Sequence, residues 1–303
     1  MKKCSQRIKK NVNKIQTGFP GIIKIFIKLI ALLMTAAGVA QLFCEFEAIK
    51  SLSWSFKILI ILSCFLVIFI ISVCLYFLFY RCKILFDYKD CKVISRYDDL
   101  FDIAFPKSRF KKIKRKIVVI PVNATFDTII DDDPAVDKPL VSPNTNHGRW
   151  IKHMLESGKS LSWIDSEISK SLKNRKEPII QIFTKQQKSR GKLEEYAIGS
   201  IAIVNYEMTT FYLVALSSFD EKNHAQSSTD KVLACLDNVV KQYDSSQKYD
   251  IYLPLMGNGL SRAGLSDLDS YILIKNYLCS RAYFMHGNIN IVVYKGNNDK
   301  IAL

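Results

Sequence analysis

The chain has 303 residues and 43 Lys and Arg against 28 Asp and Glu, a formal net charge of +15. That length accommodates a membrane segment and one domain with a full core. Residues 1–116 hold 22 basic and 7 acidic side chains and residues 117–303 hold 21 of each, which argues against a nucleic-acid binder, whose folded domain would itself carry the positive charge.

In chain order, a basic segment with Lys2, Lys3, Arg7, Lys9, Lys10 and Lys14 comes first. Leu29 to Cys44 is a run of 16 uncharged residues. Counted from Gly21, with Lys24 and Lys28 reaching back to the interface, it is long enough to be a first span. Ala36, Ala37, Gly38 and Ala40 give it a small-residue face suited to helix contact, or simply an ordinary membrane composition. Glu45 to Trp54 is a short connection. Ile58 to Tyr80 is an uncharged run of 23 residues, about 34 Å as a helix against a hydrocarbon core of about 30 Å. Arg81 and Lys83 follow it. Basic residues at both ends predict a hairpin with both termini in the cytoplasm. No cleavable signal peptide is expected, because a long basic region precedes the first apolar stretch and a second follows directly. The Lys111-Lys112-Ile113-Lys114-Arg115-Lys116 cluster is either a headgroup contact or a solvated linker. The 8 cysteines include no Cys-x-x-Cys pair, so neither a zinc site nor a disulfide framework is expected.

The expected organisation is a basic N-terminus with a two-helix transmembrane hairpin over 1–82 (spans near 22–44 and 57–80), a linker and domain entry over 83–116, and an α/β domain over 117–303 whose first strand lies at 92–96. Ile117 to Val122 is a near-continuous β-branched run, as a buried parallel strand requires. His147 to Leu172 reads as helical with a break at Gly158. Ile179 to Phe183, Ala197 to Val204 and Thr210 to Leu216 read as strands. Ser228 to Tyr243 is an amphipathic helix. Ile251 to Leu255 is a strand, Ser266 to Arg281 a helix and Ile289 to Tyr294 the last strand. Alternating strands and helices imply a three-layer αβα domain with a mixed sheet.

Four loops carry the chemistry. Leu253 to Gly264 runs from a strand through Gly257, Asn258, Gly259, Leu260, Ser261 and Arg262 towards a helix. Converging backbone N–H groups and a helix start suit a phosphate, with Arg262 as a charged donor; a plain tight turn is the alternative. It is neither a Walker A loop nor a dinucleotide fingerprint. Asn123, Ala124, Thr125, Phe126 and Asp127 follow the buried strand, where α/β folds bind ligands; Asn123 capping the next turn is the alternative. Tyr97-Asp98-Asp99-Leu100 is an acid pair past the first strand. Ser142, Pro143, Asn144, Thr145, Asn146, His147 and Gly148 form a polar loop before a helix.

Together these loops resemble a macro domain, the three-layer fold that binds ADP-ribose. Val122-Asn123-Ala124 is similar to the start of its asparagine motif, Gly257 to Gly264 to its second phosphate loop, and Tyr97-Asp98-Asp99-Leu100 to its Gly-Asp motif, with Asp98 where the family has Gly. The order of two spans, Asn123-x-x-Phe126-Asp127-Thr128, Asn146-His147-Gly148, Tyr196-x-Ile198-Gly199-Ser200 and Gly257 to Arg262 resembles the membrane-anchored macro-domain effectors of Thoeris anti-phage systems, over essentially the whole chain.

The resemblance implies that Asp99 accepts from the adenine amine, that Asn123 faces the distal ribose, and that the 257–264 loop with Asn146, His147 and Gly148 embraces the diphosphate. Tyr294 either stacks on adenine or is a sheet-edge aromatic. Phe126 stands where macro-domain hydrolases commonly carry a second Asn, which favours ligand capture over hydrolysis. His147 has no acid partner visible in the sequence. No catalytic residue, metal or cofactor is expected. The resemblance further implies an ADP-ribose derivative, with an amino-acid conjugate among the candidates, made by a TIR-domain enzyme. Binding then drives homo-oligomer assembly and disruption of the inner membrane of a bacterium, ending in cell death or growth arrest (abortive infection). The alternatives are a membrane-bound ADP-ribosyl or nucleotide hydrolase and a tether for ADP-ribosylated protein.

Overall fold

The computed structural model describes residues 23, 25–35, 53–79, 82–106, 114–132, 139–219, 225–244, 249–258, 263–294 and 301. The chain divides into two compact units, Met1–Arg81 and Cys82–Leu303.

In the first unit, helix α1 covers Ile25–Thr35 and α2 covers Trp54–Phe79. Phe26 of α1 meets Phe69 of α2 edge-on, with ring centroids 5.8 Å apart. Among the described residues one helix is long and apolar enough to cross a membrane, Trp54–Leu75, with a mean hydropathy of 3.3. The expected two-helix transmembrane hairpin is therefore not supported as such. The 11 described helical residues of α1 rise only about 16 Å, half of a hydrocarbon core. Residues 36–52, the rest of the first expected span and the connection, lie outside the described residues.

The second unit is a three-layer α/β domain. Its strands are β1 (Cys82–Tyr88), β2 (Cys91–Asp98), β3 (Lys116–Asn123), β4 (Ile179–Ile182), β5 (Glu194–Tyr196), β6 (Ile201–Tyr206), β7 (Thr209–Phe219), β8 (Ala225–Gln226), β9 (Asp250–Pro254) and β10 (Gly287–Tyr294). Its helices are α3 (Leu100–Ala104), α4 (Asn146–Glu156), α5 (Leu161–Asn174), α6 (Thr229–Asp244) and α7 (Asp267–Arg281). The sheet order is β1-β2-β10-β9-β3-β7-β6, with β8 beside β7. The strands from β2 through β10, β9 and β3 to β7 are parallel. Antiparallel β1 and β6 close the two ends, which makes the sheet mixed.

Burial follows this layering. Every second residue of β2 is buried, whereas β3 and β7 are buried almost throughout. Helices covering both faces of the central strands require that continuous apolar run. On one face Val118, Ile120, Phe211 and Leu213 pack with Trp150, Ile151 and Met154 of α4 and with Ile164 and Ile168 of α5. On the other, α6 buries Val232, Cys235, Leu236 and Val239. The Cys235 thiol donates to the Ala215 carbonyl at 3.1 Å, and burial raises its pKa to about 12. It is a core group, not a nucleophile.

Three parts of the sequence reading change. Residues 83–116, expected as linker and entry with a first strand at 92–96, supply that strand as β2 and also β1 and α3. β1 is an exposed edge strand with a bulge between Ile84 and Phe86, so it lacks a clean period of two. The strand expected at Ile179 to Phe183 is present as β4, but all four of its residues are exposed and it pairs with β5 in a separate two-stranded sheet. Ala197 to Val204 is interrupted: Gly199 has φ +87° and makes a turn between β5 and β6. The break expected at Gly158 is present, with φ +83° between α4 and α5.

The ladder between β3 and β9 is short. β3 pairs with β9 only at Lys116, Ile117 and Val118. Pro121, further along β3, has no N–H to offer a neighbour, although its other side stays in register with Val214 of β7. Proline removes a ladder bond wherever it sits in a sheet. β3 and β9 therefore part towards their carboxyl ends, the usual ligand position in an open α/β sheet.

Candidate functional site: a crevice at the carboxyl ends of the strands

A cavity of about 440 Å³ lies in a surface groove beside Leu233, Ile272 and Tyr277. A larger one, about 610 Å³, opens among the carboxyl ends of β2, β9 and β10, within the size range of small-molecule sites. It is the more polar of the two and is the candidate site. Asp98, Asn146, Arg149, Asn258 and Tyr294 supply much of its wall. Register explains the meeting of residues distant in sequence. Tyr294 at the end of β10 is the parallel partner of Asp98 at the end of β2, and Val292 is the partner of Pro254.

One wall is the N-terminus of α4. Thr145 caps it by accepting from the Gly148 N–H at 3.0 Å. Asn146 and Arg149, one turn apart, both line the cavity. The first turn of an 11-residue helix presents unpaired N–H groups and a positive dipole end, which suits an anion. Gly148 is required for a different reason than phosphate contact. A Cβ there would lie 2.2 Å from the Ser142 carbonyl oxygen. This close approach holds the 142–145 loop against α4. Gly148→Ala is expected to cost about 1–3 kcal/mol through forced displacement of backbone. A thermal unfolding midpoint unchanged from the parent would contradict it.

Arg149 is a site residue that the sequence reading passed over. Its Nη2 donates to both Asp99 carboxylate oxygens, at 3.0 and 2.9 Å. Its guanidinium also lies 4.3 Å from the Phe101 ring centroid. The three N–H donors on Nη1 and Nε are not used by Asp99. The available signal was the helical spacing of Arg149 from Asn146. Asp99, expected to accept from an adenine amine, also caps α3 by accepting from the Phe101 N–H at 2.9 Å. Its carboxylate therefore already orients Arg149 and α3, and Asp98 beside it is the acid on the cavity wall.

The glycine-rich loop forms a second wall. Gly257 and Gly264 have φ +85° and +73°, the left-handed region that glycine adopts without penalty. Asn258 lines the cavity and donates to Asp267 at 2.7 Å. Ser270 of α7 anchors the loop's base, accepting from the Met256 N–H and donating to the Met256 carbonyl. Gly259, Leu260, Ser261 and Arg262 lie outside the described residues.

The asparagine turn is set apart from this cavity. Asn123 is buried, and its Oδ1 accepts from the Asp127 N–H at 3.0 Å. Its Nδ2 donates to Asp127 and to the Leu140 carbonyl, both at 3.3 Å. Thr125 donates to Asp127 at 2.5 Å. Lys188, from the segment between β4 and β5, donates to Asp127 at 2.7 Å and to Thr125 at 2.8 Å. Ala124 bonds through its N–H to Ser217 and through its carbonyl to Tyr196. Asn123, Ala124, Thr125, Phe126 and Asp127 are all buried, and their side chains form an internally satisfied lock instead of a lining. Phe126 lies in the core with φ +50°, edge-on to Tyr196. Such a backbone is costly for a bulky residue, and the packing over-determines it. The ribose role expected of Asn123 has no opening in this geometry, because its side chain is already committed. Lys188 gave no local signal: it lies 61 residues from its partner Asp127.

His147 does not line the cavity either. It is buried in α4, and its Nε2 has no hydrogen-bond partner among the described residues. Burial, reinforced by the positive charge of Lys192, lowers its pKa to about 3. It is a neutral imidazole at physiological pH.

The chain is 26% identical over 209 residues to the Thoeris protein ThsA of Bacillus amyloliquefaciens (strain Y2); the match covers 67% of this chain and 62% of that protein, less than two thirds of the relative's length. Among solved structures, the Oceanobacillus iheyensis macrodomain with MES bound aligns with a TM-score of 0.44 at 8% identity, covering 72% of this chain and 92% of that one. The same macrodomain with ADP aligns with a TM-score of 0.39 at 10% identity, covering 70% and 88%. Residues 94–294, about two thirds of the chain, match the family model described as "Thoeris protein ThsA, Macro domain", and the chain belongs to that family.

Proposed function

We propose that the chain is a membrane-anchored anti-phage effector whose macro domain binds an ADP-ribose-type signal at the cavity between β2, β9 and β10. The observation that carries this reading is the meeting of an α4 N-terminus, Arg149, Asn258 and Tyr294 around one polar cavity in a chain of the ThsA macro-domain family. Helix N–H groups and a guanidinium recognise a diphosphate, and Tyr294, exposed on the rim, offers a face for a base.

In this reading α2 anchors the protein in the bacterial inner membrane, α1 lies alongside it, and the macro domain stays in the cytoplasm. A TIR-domain enzyme supplies the ligand, an ADP-ribose derivative. Ligand-bound chains assemble and disrupt the membrane, ending in cell death or growth arrest. The ligand drives assembly only by binding the assembled state more tightly than the resting one. Shifting a 1:99 equilibrium to 99:1 requires about 5.5 kcal/mol of differential binding. Capture without turnover is favoured by Phe126, a buried aromatic ring where a hydrolase would place a second Asn.

Calorimetric titration of the detergent-solubilised full chain with ADP-ribose tests the site. Tyr294→Ala is expected to weaken binding by about 5- to 150-fold, the equivalent of about 1–3 kcal/mol for base stacking, with no loss of fold because the ring is exposed. Equal affinity in parent and variant would remove Tyr294 from the site. Release of a cleaved product during the titration would replace this reading with that of a membrane-bound hydrolase. Binding without ligand-triggered leakage from vesicles would instead favour a tether for ADP-ribosylated protein.

A further inference from the structure

We propose that the aromatic surface built by β1 and the turn after α7 seats in the headgroup layer of the membrane that α2 spans. This rests on the membrane-anchored reading above. Phe86 and Tyr88 of β1 pack with Tyr283, at ring centroid distances of 4.8 and 5.2 Å. The outer side of the cluster faces solvent: Tyr283 is 58% exposed, Tyr88 40% and Phe284, next to Tyr283, 78%. A contiguous exposed apolar patch marks a surface that meets something.

Covalent reach identifies the occupant. α2 ends at Phe79 and β1 begins at Cys82, so residues 80 and 81 alone join them. Three Cα–Cα steps span at most about 11 Å, whatever the angle between helix and domain. α2, with 26 residues, is about 39 Å long and exceeds a hydrocarbon core of about 30 Å. Its end therefore reaches the interface, and β1 starts there. The chemistry of the patch fits that layer. Tyr and Phe rings sit between apolar and wet surroundings, as interfacial aromatic belts do. Lys89, whose Nζ lies 5.1 Å from the Tyr88 ring centroid, and exposed Lys83 can meet lipid phosphates. The other exposed apolar strand, β4, has no such connection to an anchor.

The test uses the full chain carrying Phe284→Trp, reconstituted into phosphatidylglycerol–phosphatidylcholine vesicles whose acyl chains are brominated near the headgroup. Of the three native tryptophans, Trp150 is buried and Trp163 half-buried in the domain, so the bromine-sensitive part of the parent emission is assigned to exposed Trp54 at the start of α2 by comparison with Trp54→Phe and reports anchoring; subtracting the parent spectrum isolates the introduced indole. We expect bromine to quench at least half of the added emission. Ile180→Trp on β4 should remain unquenched. Quenching of Trp54 without quenching at position 284 overturns the proposal and leaves the anchor standing. Quenching at neither position removes both. A blue-shifted, unquenched signal that grows with protein density assigns the patch to a second copy of the chain and likewise overturns the proposal.

Discussion

Replacing Asp127 with Ala is expected to destabilise the macro domain by about 3–5 kcal/mol, the usual cost of removing one partner from a buried ion pair. Asp127 is fully buried, and Lys188 is only 9% exposed. The carboxylate accepts from the Lys188 ammonium, the Thr125 hydroxyl, the Asn123 amide and, at 2.6 Å, the Lys192 N–H. Without it the ammonium keeps, among the described residues, the hydrogen bonds to Thr125 and the Lys192 carbonyl and the Phe219 ring at 5.9 Å, and a charge without a counter-ion stays out of water. Lys188→Met should cost less than Asp127→Ala, because a carboxylate with three remaining donors is better satisfied than an ammonium with neutral acceptors. Combining the two changes should cost well under the sum of the singles, because the charge left stranded in each single variant is gone. The lost backbone and amide bonds to Asp127 would still prevent full recovery. Thermal and denaturant unfolding of the detergent-solubilised chain measures all three variants. A loss below about 1 kcal/mol for Asp127→Ala would mean that water reaches Lys188 and that no lock holds the asparagine turn.

Acidification should weaken the fold through His147 before most carboxylates titrate. Its folded pKa is lowered from 6.5 to about 3, first by burial and then by Lys192. Above about pH 6.5 the imidazole is neutral in both states, and the stability is fully present. Between about pH 6.5 and 3 the unfolded chain binds a proton that the folded one refuses, so stability falls as pH falls. Each unit is worth about 1.4 kcal/mol. The loss is about 2 kcal/mol at pH 5 and about 5 kcal/mol once the folded pKa is reached. His147→Gln should flatten the dependence between pH 7 and 5. Parent and variant with parallel unfolding midpoints across that window would show that His147 protonates within the folded domain.

Much of the fold was legible because its signals are local. The β-branched run of β3 and the amphipathic α6 each carry their period within a few residues. α4 and α5 were separable at Gly158 for the same reason. β1 and α3 were missed because β1 is a bulged edge strand and α3 has 5 residues, too short for any period to show. β4 was legible as a strand, but its place outside the main sheet was not, because an isoleucine-rich run looks alike whether the sheet beneath it is present or absent.

The candidate site divides in the same way. Asn146, Asn258 and Tyr294 stood out as polar or aromatic residues at loop mouths and strand ends, and the cavity brings them together. Asn123 and Asp127 stood out equally, yet their side chains close on Lys188. A hydrogen-bonding side chain at the end of a strand looks the same in sequence whether its partner is a ligand or a distant lysine.

The sequence alone determined the apolar helix, the segregation of charge ahead of the domain and the succession of parallel strands with glycine and asparagine turns, because each depends on neighbours along the chain. Only the tertiary structure decided which turns face a cavity. That choice depends on the register that sets Tyr294 beside Asp98 and on an ion pair between residues 61 positions apart. Strand register and buried charge pairing are set by packing in three dimensions, and no local spacing encodes them.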